Sequence, residues 1–195
     1  LSICQFLYDD AKALSYPRTE SRFLSEEDLE LAKNVYNKII IAMPEYEKYS
    51  DEKNINTLNK NIFNGNKVTG HHGLIPNKNL ELTATITKES IEYKVWKLIV
   101  DRFMMQWCND AKIEKQKIEI ECANKKIIAT KEVLIDKGFL PLDISKKEYT
   151  DTLSKITSGD KIQLKNINKL NKQTKSKPFY NQGTIIEFME NPSGK

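Results

Sequence analysis

The spacing of apolar residues changes near residue 112, and this change constrains the fold more than any other feature of the sequence. Before it, apolar side chains recur every three or four positions, as on one face of an α-helix. After it, they alternate with charged side chains, as in a β-strand, and from Gly183 the helical spacing returns. The pattern predicts an α+β protein, which we divide into residues 1–111, 112–177 and 178–195.

Two predicted helices flank a short extended segment around Pro17, residues 15–24, which we call the elbow. Residues 2–14 carry apolar side chains at helical spacing, which predicts an amphipathic helix. Those side chains are Ile3, Leu7, Ala11 and Leu14. A second helix is expected to begin at Ser25, a favoured N-cap followed by three acidic residues, and to stop at Pro44. Between them, Pro17 fixes its own backbone and keeps Tyr16 out of the α-helical conformation.

The elbow places a phenol close to a guanidinium. In an extended segment residues i and i+2 point the same way, so Tyr16 and Arg18 are expected on one side. A phenol is a weak nucleophile at neutral pH unless a cation or a base favours the phenolate, and Arg18 can be that cation. The structural alternative is that Tyr16 is a half-buried loop aromatic and Arg18 a solvated charge.

A third helix is predicted from an N-cap at Thr87 to about Ala111. Its apolar face is broad enough for a core helix, so we interpret its aromatic residues as packing. The predicted face comprises Ile91, Val95, Leu98, Ile99, Phe103 and Trp107, with Trp96 and Met104 on its flank.

The β region is expected to contain a hairpin. Alternation at Ile118–Cys122 predicts one strand, Asn124–Lys125 a turn, and Ile128–Ile135 the returning strand. Ile162 with Leu164 predicts the beginning of a further strand. Additional turn signals are Asp136-Lys137-Gly138 and Ser158-Gly159-Asp160.

The second informative motif is His71-His72-Gly73-Leu74-Ile75-Pro76, within a stretch of glycines and a proline that predicts a loop or short strand. Adjacent histidines in an extended segment point to opposite faces. Because no third ligand follows at a suitable spacing, the sequence predicts no metal site here.

Residues 16–24, Tyr-Pro-Arg-Thr-Glu-Ser-Arg-Phe-Leu, resemble the active-site tyrosine motif of the type IA DNA topoisomerases, closest to the topoisomerase III branch. The histidine motif at residues 71–76 resembles the His-x-Ala-Ile-x-Pro element that accompanies it, and residues 177–192 resemble the entry into that family's fourth domain. The chain departs from the family pattern at Glu20, Gly73, Leu74 and Asn77.

The resemblance implies a role for each matching residue. Tyr16 would be the nucleophile that forms a 5′-phosphotyrosyl link, Arg18 the cation that stabilises the phosphate, and His71 a hydrogen-bond donor or proton carrier. Arg22 is a further candidate DNA-binding residue, at a neighbouring phosphate. Because glycine adds freedom to the backbone, Gly73 is expected to loosen the loop that aims His71.

The resemblance also implies an architecture. A helical, winged-helix-like domain would bear Tyr16, part of an all-β arch would follow, and residues 178–195 would begin the next helical domain. The family binds Mg²⁺ through acidic residues in a preceding domain, so we expect a central fragment that is inactive alone. The implied partner is single-stranded DNA, with neither ATP nor a small-molecule substrate, because resealing reuses the energy of the phosphodiester.

The composition bears on membrane association and on the cellular compartment. The chain is 30% charged, with a mean hydropathy of −0.58 and no long apolar run, which predicts no membrane span. Three scattered cysteines predict reduced thiols and a cytoplasmic protein, associated with the nucleoid if the source is bacterial.

Charge leaves two questions open. The net charge of +4 permits a polyanionic partner without requiring one. The lysines from Lys165 to Lys177 are either a solvated edge that discourages strand pairing or contacts to a phosphate backbone. The alternatives to an enzyme are a winged-helix-like module that binds single-stranded nucleic acid, with Tyr16 stacking on a base, and a protein-interaction scaffold.

Overall fold

The computed structural model describes the chain except residues 79, 81, 83–85, 145–146, 151, 164–165, 167 and 191–195. The chain forms two compact units, Leu1–Ser154 and Lys155–Lys195. Helices and a two-stranded antiparallel sheet confirm the α+β prediction, and β-structure begins at Lys112 as predicted. The winged-helix-like character and the three-part division remain predictions.

The first unit contains four helices and two strands among its described residues. They are α1 (Ser2–Asp9), α2 (Leu29–Ala42), α3 (Glu52–Asn56), α4 (Ile91–Met105), β1 (Lys112–Cys122) and β2 (Lys125–Asp136). Short 3-10 turns lie at Glu26–Asp28, Pro44–Tyr46, Gly65–Lys67 and Leu140–Leu142. The core collects the inner faces of α1, α2 and α4 around Trp96 and Trp107.

Helix α1 is shorter than predicted because the chain reverses immediately after it. Lys12 has a φ of 52°, a left-handed conformation that ends the helix. The N–H groups of Ala11 and Ala13 donate to the carbonyls of Phe6 and Leu7, which satisfies the last turn. The side chains predicted on the inner face from Leu7 onward are buried although two of them follow the helix.

Helix α2 confirms the predicted stop at Pro44, but Ser25 caps the 3-10 turn Glu26–Asp28 and the α-helix itself begins at Leu29. The backbone N–H and the hydroxyl of Ser25 both donate to the Asp28 carboxylate, at 2.8 and 2.7 Å. The helix stops at Ala42, two residues before Pro44. Its buried side chains are Ala32, Val35, Tyr36 and Ile39, and Ile40 is half-buried.

Helix α4 differs from its prediction in its bounds and in part of its face. Ser90 rather than Thr87 is the N-cap, because its hydroxyl accepts a hydrogen bond from the Tyr93 N–H. The helix ends at Met105, well before Ala111. The predicted face is corrected as follows: Trp96, Val100, Phe103 and Met104 are buried on one stripe, whereas Ile91 and Leu98 are exposed.

A polar cluster attaches α4 to the Pro44–Tyr46 turn. The buried Tyr46 hydroxyl donates to the Asp101 carboxylate at 2.6 Å. The Lys97 ammonium lies 2.6 Å from the same carboxylate oxygen and 2.7 Å from the Tyr46 hydroxyl. Burial, followed by the hydrogen bond to Asp101, raises the pKa of Tyr46, so the phenol stays protonated.

Strands β1 and β2 form an exposed hairpin. Cys122 pairs with Lys125 across a two-residue turn, Ala123 and Asn124, whose φ angles are 48° and 59°. Two successive positive φ angles are typical of a type I′ turn, which matches the twist of the strands. The predicted turn at Asn124–Lys125 was therefore one residue late. Near the middle of β1 the Gln116 side-chain amide forms two hydrogen bonds with the Ser154 backbone.

In the second unit the helix predicted from Gly183 is α5 (Gln182–Glu190). The turn at residues 158–160 is confirmed, with Gly159 at a φ of 96°. The strand predicted from Ile162 is wrong at that residue, and Leu164 lies outside the described residues. The described lysines between residues 169 and 177 are exposed, and Lys165 lies outside the described residues. No described helix is long and apolar enough to cross a membrane.

Candidate active site

Backbone hydrogen bonds join the elbow to residues 71–76, which we call the histidine segment. Leu14 and Pro76 form an antiparallel bridge, in which the Ser15 N–H donates to the Ile75 carbonyl at 2.9 Å. The Ile75 N–H returns a bond to the Ser15 hydroxyl at 3.0 Å, across sixty residues of sequence. Two segments that are far apart in the chain therefore run side by side where the predicted site lies.

Further bonds hold the rest of the elbow. The Thr19 hydroxyl donates to the His71 carbonyl at 2.8 Å, and the Ser21 hydroxyl donates to the Lys67 carbonyl at 2.9 Å. Leu24 bridges to Phe63 and anchors the end of the segment in the core. Because these contacts fix backbone on both sides of Tyr16 and His71, the two side chains start from defined positions.

The rings of Tyr16 and His71 are in contact. Their centroids lie 4.3 Å apart, with a tilt of 39° between the ring planes. Tyr8 of α1 meets the Tyr16 ring edge-on at 5.5 Å. Tyr16 is half-buried and His71 is exposed, so a phenol held from one side lies beside an imidazole that solvent or a ligand can reach.

Sequence reasoning missed Tyr8 as a part of this site. No motif marks it, and its contact depends on the reversal at Lys12, which brings α1 back against the elbow. Lys12 also lies over the Tyr8 ring, with its ammonium 5.9 Å from the centroid. The helical spacing in residues 2–14 places Tyr8 on the helix next to the core residue Leu7, but it gives no information about a contact with Tyr16.

The two predicted arginines lie in the elbow with exposed side chains. Among the described residues neither Arg18 nor Arg22 forms a hydrogen bond or an ion pair through its guanidinium. The described structure therefore contains no hydrogen bond from the Arg18 guanidinium to Tyr16 or His71. What the structure does provide is two cations that no described carboxylate neutralises.

Gly73 has a packing role that the sequence did not indicate. It is buried, and its N–H donates to the Phe23 carbonyl at 2.7 Å. A Cβ at this position would lie 3.1 Å from the carbonyl carbon of Arg22, closer than most side chains tolerate. Glycine thus lets the histidine segment approach the elbow backbone.

The chain matches the family model described as DNA topoisomerase over residues 1–193. It belongs to the DNA topoisomerase family. Proteins named DNA topoisomerase 3 are 29% identical in Bacillus licheniformis and in Salmonella typhimurium, and 26% identical in Bacillus subtilis, over 97–99% of this chain. These matches confirm the resemblance to topoisomerase III.

This topoisomerase chain spans only 27–29% of the length of those three relatives. The family resemblance implies Mg²⁺, whose preferred ligands are carboxylate oxygens. Within the described part of the chain no three His, Cys, Asp or Glu side chains are grouped so that they could hold a metal ion. The residues described here therefore do not fit a magnesium site, and we assign no chemical step to the metal.

Proposed function

We propose that this chain is the tyrosine-bearing central part of a topoisomerase III-type enzyme that cleaves one DNA strand, passes another strand through the break and reseals it. One observation carries the proposal: in this chain of the topoisomerase family, the Tyr16 ring lies against the His71 ring, with the ring centroids 4.3 Å apart. A stacking role alone would not require a histidine at that position.

The proposed reaction is a reversible transesterification. The Tyr16 oxygen attacks a phosphorus atom, an O–P bond forms, and the bond from phosphorus to the 3′ oxygen breaks. The phenol loses its proton and the leaving 3′ oxygen gains one. Attack by the resulting 3′ hydroxyl on the 5′-phosphotyrosyl link reverses each change, so the strand is resealed without ATP.

Arg18 and His71 have complementary roles in this reaction. Negative charge spreads over the non-bridging oxygens during attack, and a guanidinium can bind two of them at once. Arg18 is exposed in the elbow and has no described carboxylate partner. His71 supplies a hydrogen bond or a proton from a ring that touches the nucleophile. Arg22 binds a neighbouring phosphate.

The other domains of the proposed enzyme would lie outside these residues. The relatives are more than three times as long as this chain, which leaves room for an acidic domain that binds Mg²⁺. On this view the chain alone does not cleave DNA, and the hairpin of β1 and β2 is part of an arch that lets the winged-helix-like tyrosine domain lift. The partner is single-stranded DNA in the cytoplasm.

The test uses the full-length protein that contains this chain, incubated with single-stranded DNA and Mg²⁺ and then denatured. We expect a covalent protein–DNA adduct that Tyr16→Phe abolishes. Tyr180→Phe is the matched control, because Tyr180 is 61% exposed and lies in the second unit. An adduct that persists in Tyr16→Phe would show that another residue is the nucleophile.

A further inference from the structure

We propose that a cavity behind the elbow binds the phosphodiester backbone of single-stranded DNA between Arg22 and Arg102. The inference rests on the proposed function for the choice of ligand, and it adds α4 to the surface that holds the strand. The cavity has a volume of about 550 Å³, within the range of ligand sites. Thr19 and Arg22 line it from the elbow, and Arg102 of α4 and Gln106, the C-cap of that helix, line it from the other side.

The distribution of arginine supports this site. Of the 31 basic residues in the chain only three are arginine, at positions 18, 22 and 102. Arg18 follows Tyr16 by two residues in the sequence, and the other two line the same cavity. A planar guanidinium binds phosphate through two parallel hydrogen bonds, which the ammonium of lysine cannot do. A chain that otherwise uses lysine thus has arginine where that geometry matters.

The charge of the cavity favours an anion. None of its lining residues is Asp or Glu. Arg102 is exposed, and in the described part of the chain its guanidinium has neither an ion pair nor a hydrogen bond. The neighbouring Asp101 is already bound to Lys97 and Tyr46. Two unneutralised guanidiniums at one cavity attract a phosphate more strongly than scattered surface lysines.

A second cavity of about 600 Å³ extends this site. Arg102, Gln106 and Asn61 line both cavities, so a strand could pass from one to the other across Arg102. The second cavity is rich in amide side chains, which can hydrogen-bond to sugars and to base edges. They belong to Asn54, Asn59, Asn61, Gln106 and Asn109. Because this cavity also contains Asp110, we place the phosphate at the Arg102 end.

The test measures binding of a fluorescent twelve-residue oligothymidylate to the 195-residue chain by anisotropy, at several salt concentrations. Arg102→Gln should weaken binding at least fivefold and reduce the slope of log affinity against log salt by about 0.7, as expected for one lost phosphate contact. Lys94→Gln is the matched control: it removes the same charge from an exposed position on α4 and lines neither cavity. Arg102→Lys should fall between.

Other outcomes overturn the proposal. They are equal losses from Arg102→Gln and Lys94→Gln, unchanged binding in Arg102→Gln, and no binding by the unmodified chain. A second readout is the NMR signals of the three arginine Nε–H groups, of which those of Arg22 and Arg102 should shift on titration. The cavity does not include Tyr16. An adduct that survives Tyr16→Phe would therefore remove the proposed nucleophile and leave the strand site standing.

Discussion

The elbow and the hairpin are organised in opposite ways. The elbow has little regular structure, and its position depends on bonds to segments about fifty and sixty residues away. The hairpin consists of two strands that pair through one two-residue turn. Its side chains are mostly exposed, whereas the elbow joins a core that contains Leu14 and Leu24. The comparison indicates that the site belongs to the cooperative core and the hairpin to a locally determined region.

The largest loss of stability is expected from a substitution that separates the elbow from the histidine segment. Gly73→Val would place side-chain atoms against the Arg22 backbone, where even a Cβ lies at 3.1 Å. We expect a loss of about 2 kcal/mol in the free energy of unfolding, typical of overpacking, measured by urea denaturation. Gly70→Val is the control, since a Cβ there meets nothing within 4 Å. Equal stability of the two variants would contradict the close approach.

Local signals in the sequence predicted the parts of the fold that depend on neighbouring residues. Pro44 predicted the end of α2, Ser25 with its acidic successors predicted the 3-10 turn that precedes the helix, and the turn signal located the hairpin turn to within one residue. The left-handed turn at Lys12 was missed because lysine carries no signal for that conformation. The motifs made Tyr16 and His71 candidate site residues, but spacing could not predict their ring contact or the cavity at Arg102, because both depend on tertiary packing.

The polar cluster at Tyr46 is expected to contribute to the stability of the core that the elbow joins. Tyr46→Phe removes the hydroxyl that binds Asp101 and Lys97, and we expect a loss of about 1 kcal/mol at neutral pH. In the folded chain the pKa of Tyr46 is raised, whereas the phenol of the unfolded chain ionises at a pH of about 10. The folded state then holds the proton more tightly, so unmodified protein should lose stability as the pH rises above that value.

Denaturation between pH 8 and 11 measures this effect. Tyr46→Phe should flatten the alkaline loss, because the group responsible for it is gone. Tyr49→Phe is the matched control, because in the described structure its hydroxyl forms no hydrogen bond and its ring lies under Lys48. If Tyr49→Phe flattens the curve equally, the buried hydrogen bond of Tyr46 is not the source.

The smallest changes in stability are expected from two glycine substitutions, one just before the elbow and one in the hairpin turn. Lys12 and Ala123 both have left-handed backbones, with φ of 52° and 48°, which glycine adopts without strain. Relief of that strain, reduced by the greater freedom of glycine in the unfolded chain, should leave a gain of about 0.5 kcal/mol. Lys12→Gly should raise the free energy of unfolding of the whole first unit, because the reversal packs Tyr8 against Tyr16.

Ala123→Gly should instead increase hydrogen-exchange protection only for amides of β1 and β2, and leave global unfolding unchanged. The reason is that the turn joins two strands that mainly pair with each other, so their local opening does not require the core to open. A global gain from Ala123→Gly would show that the hairpin unfolds with the core. The arch-like movement proposed for it would then involve the tyrosine site as well, because strand opening and site opening would share one transition.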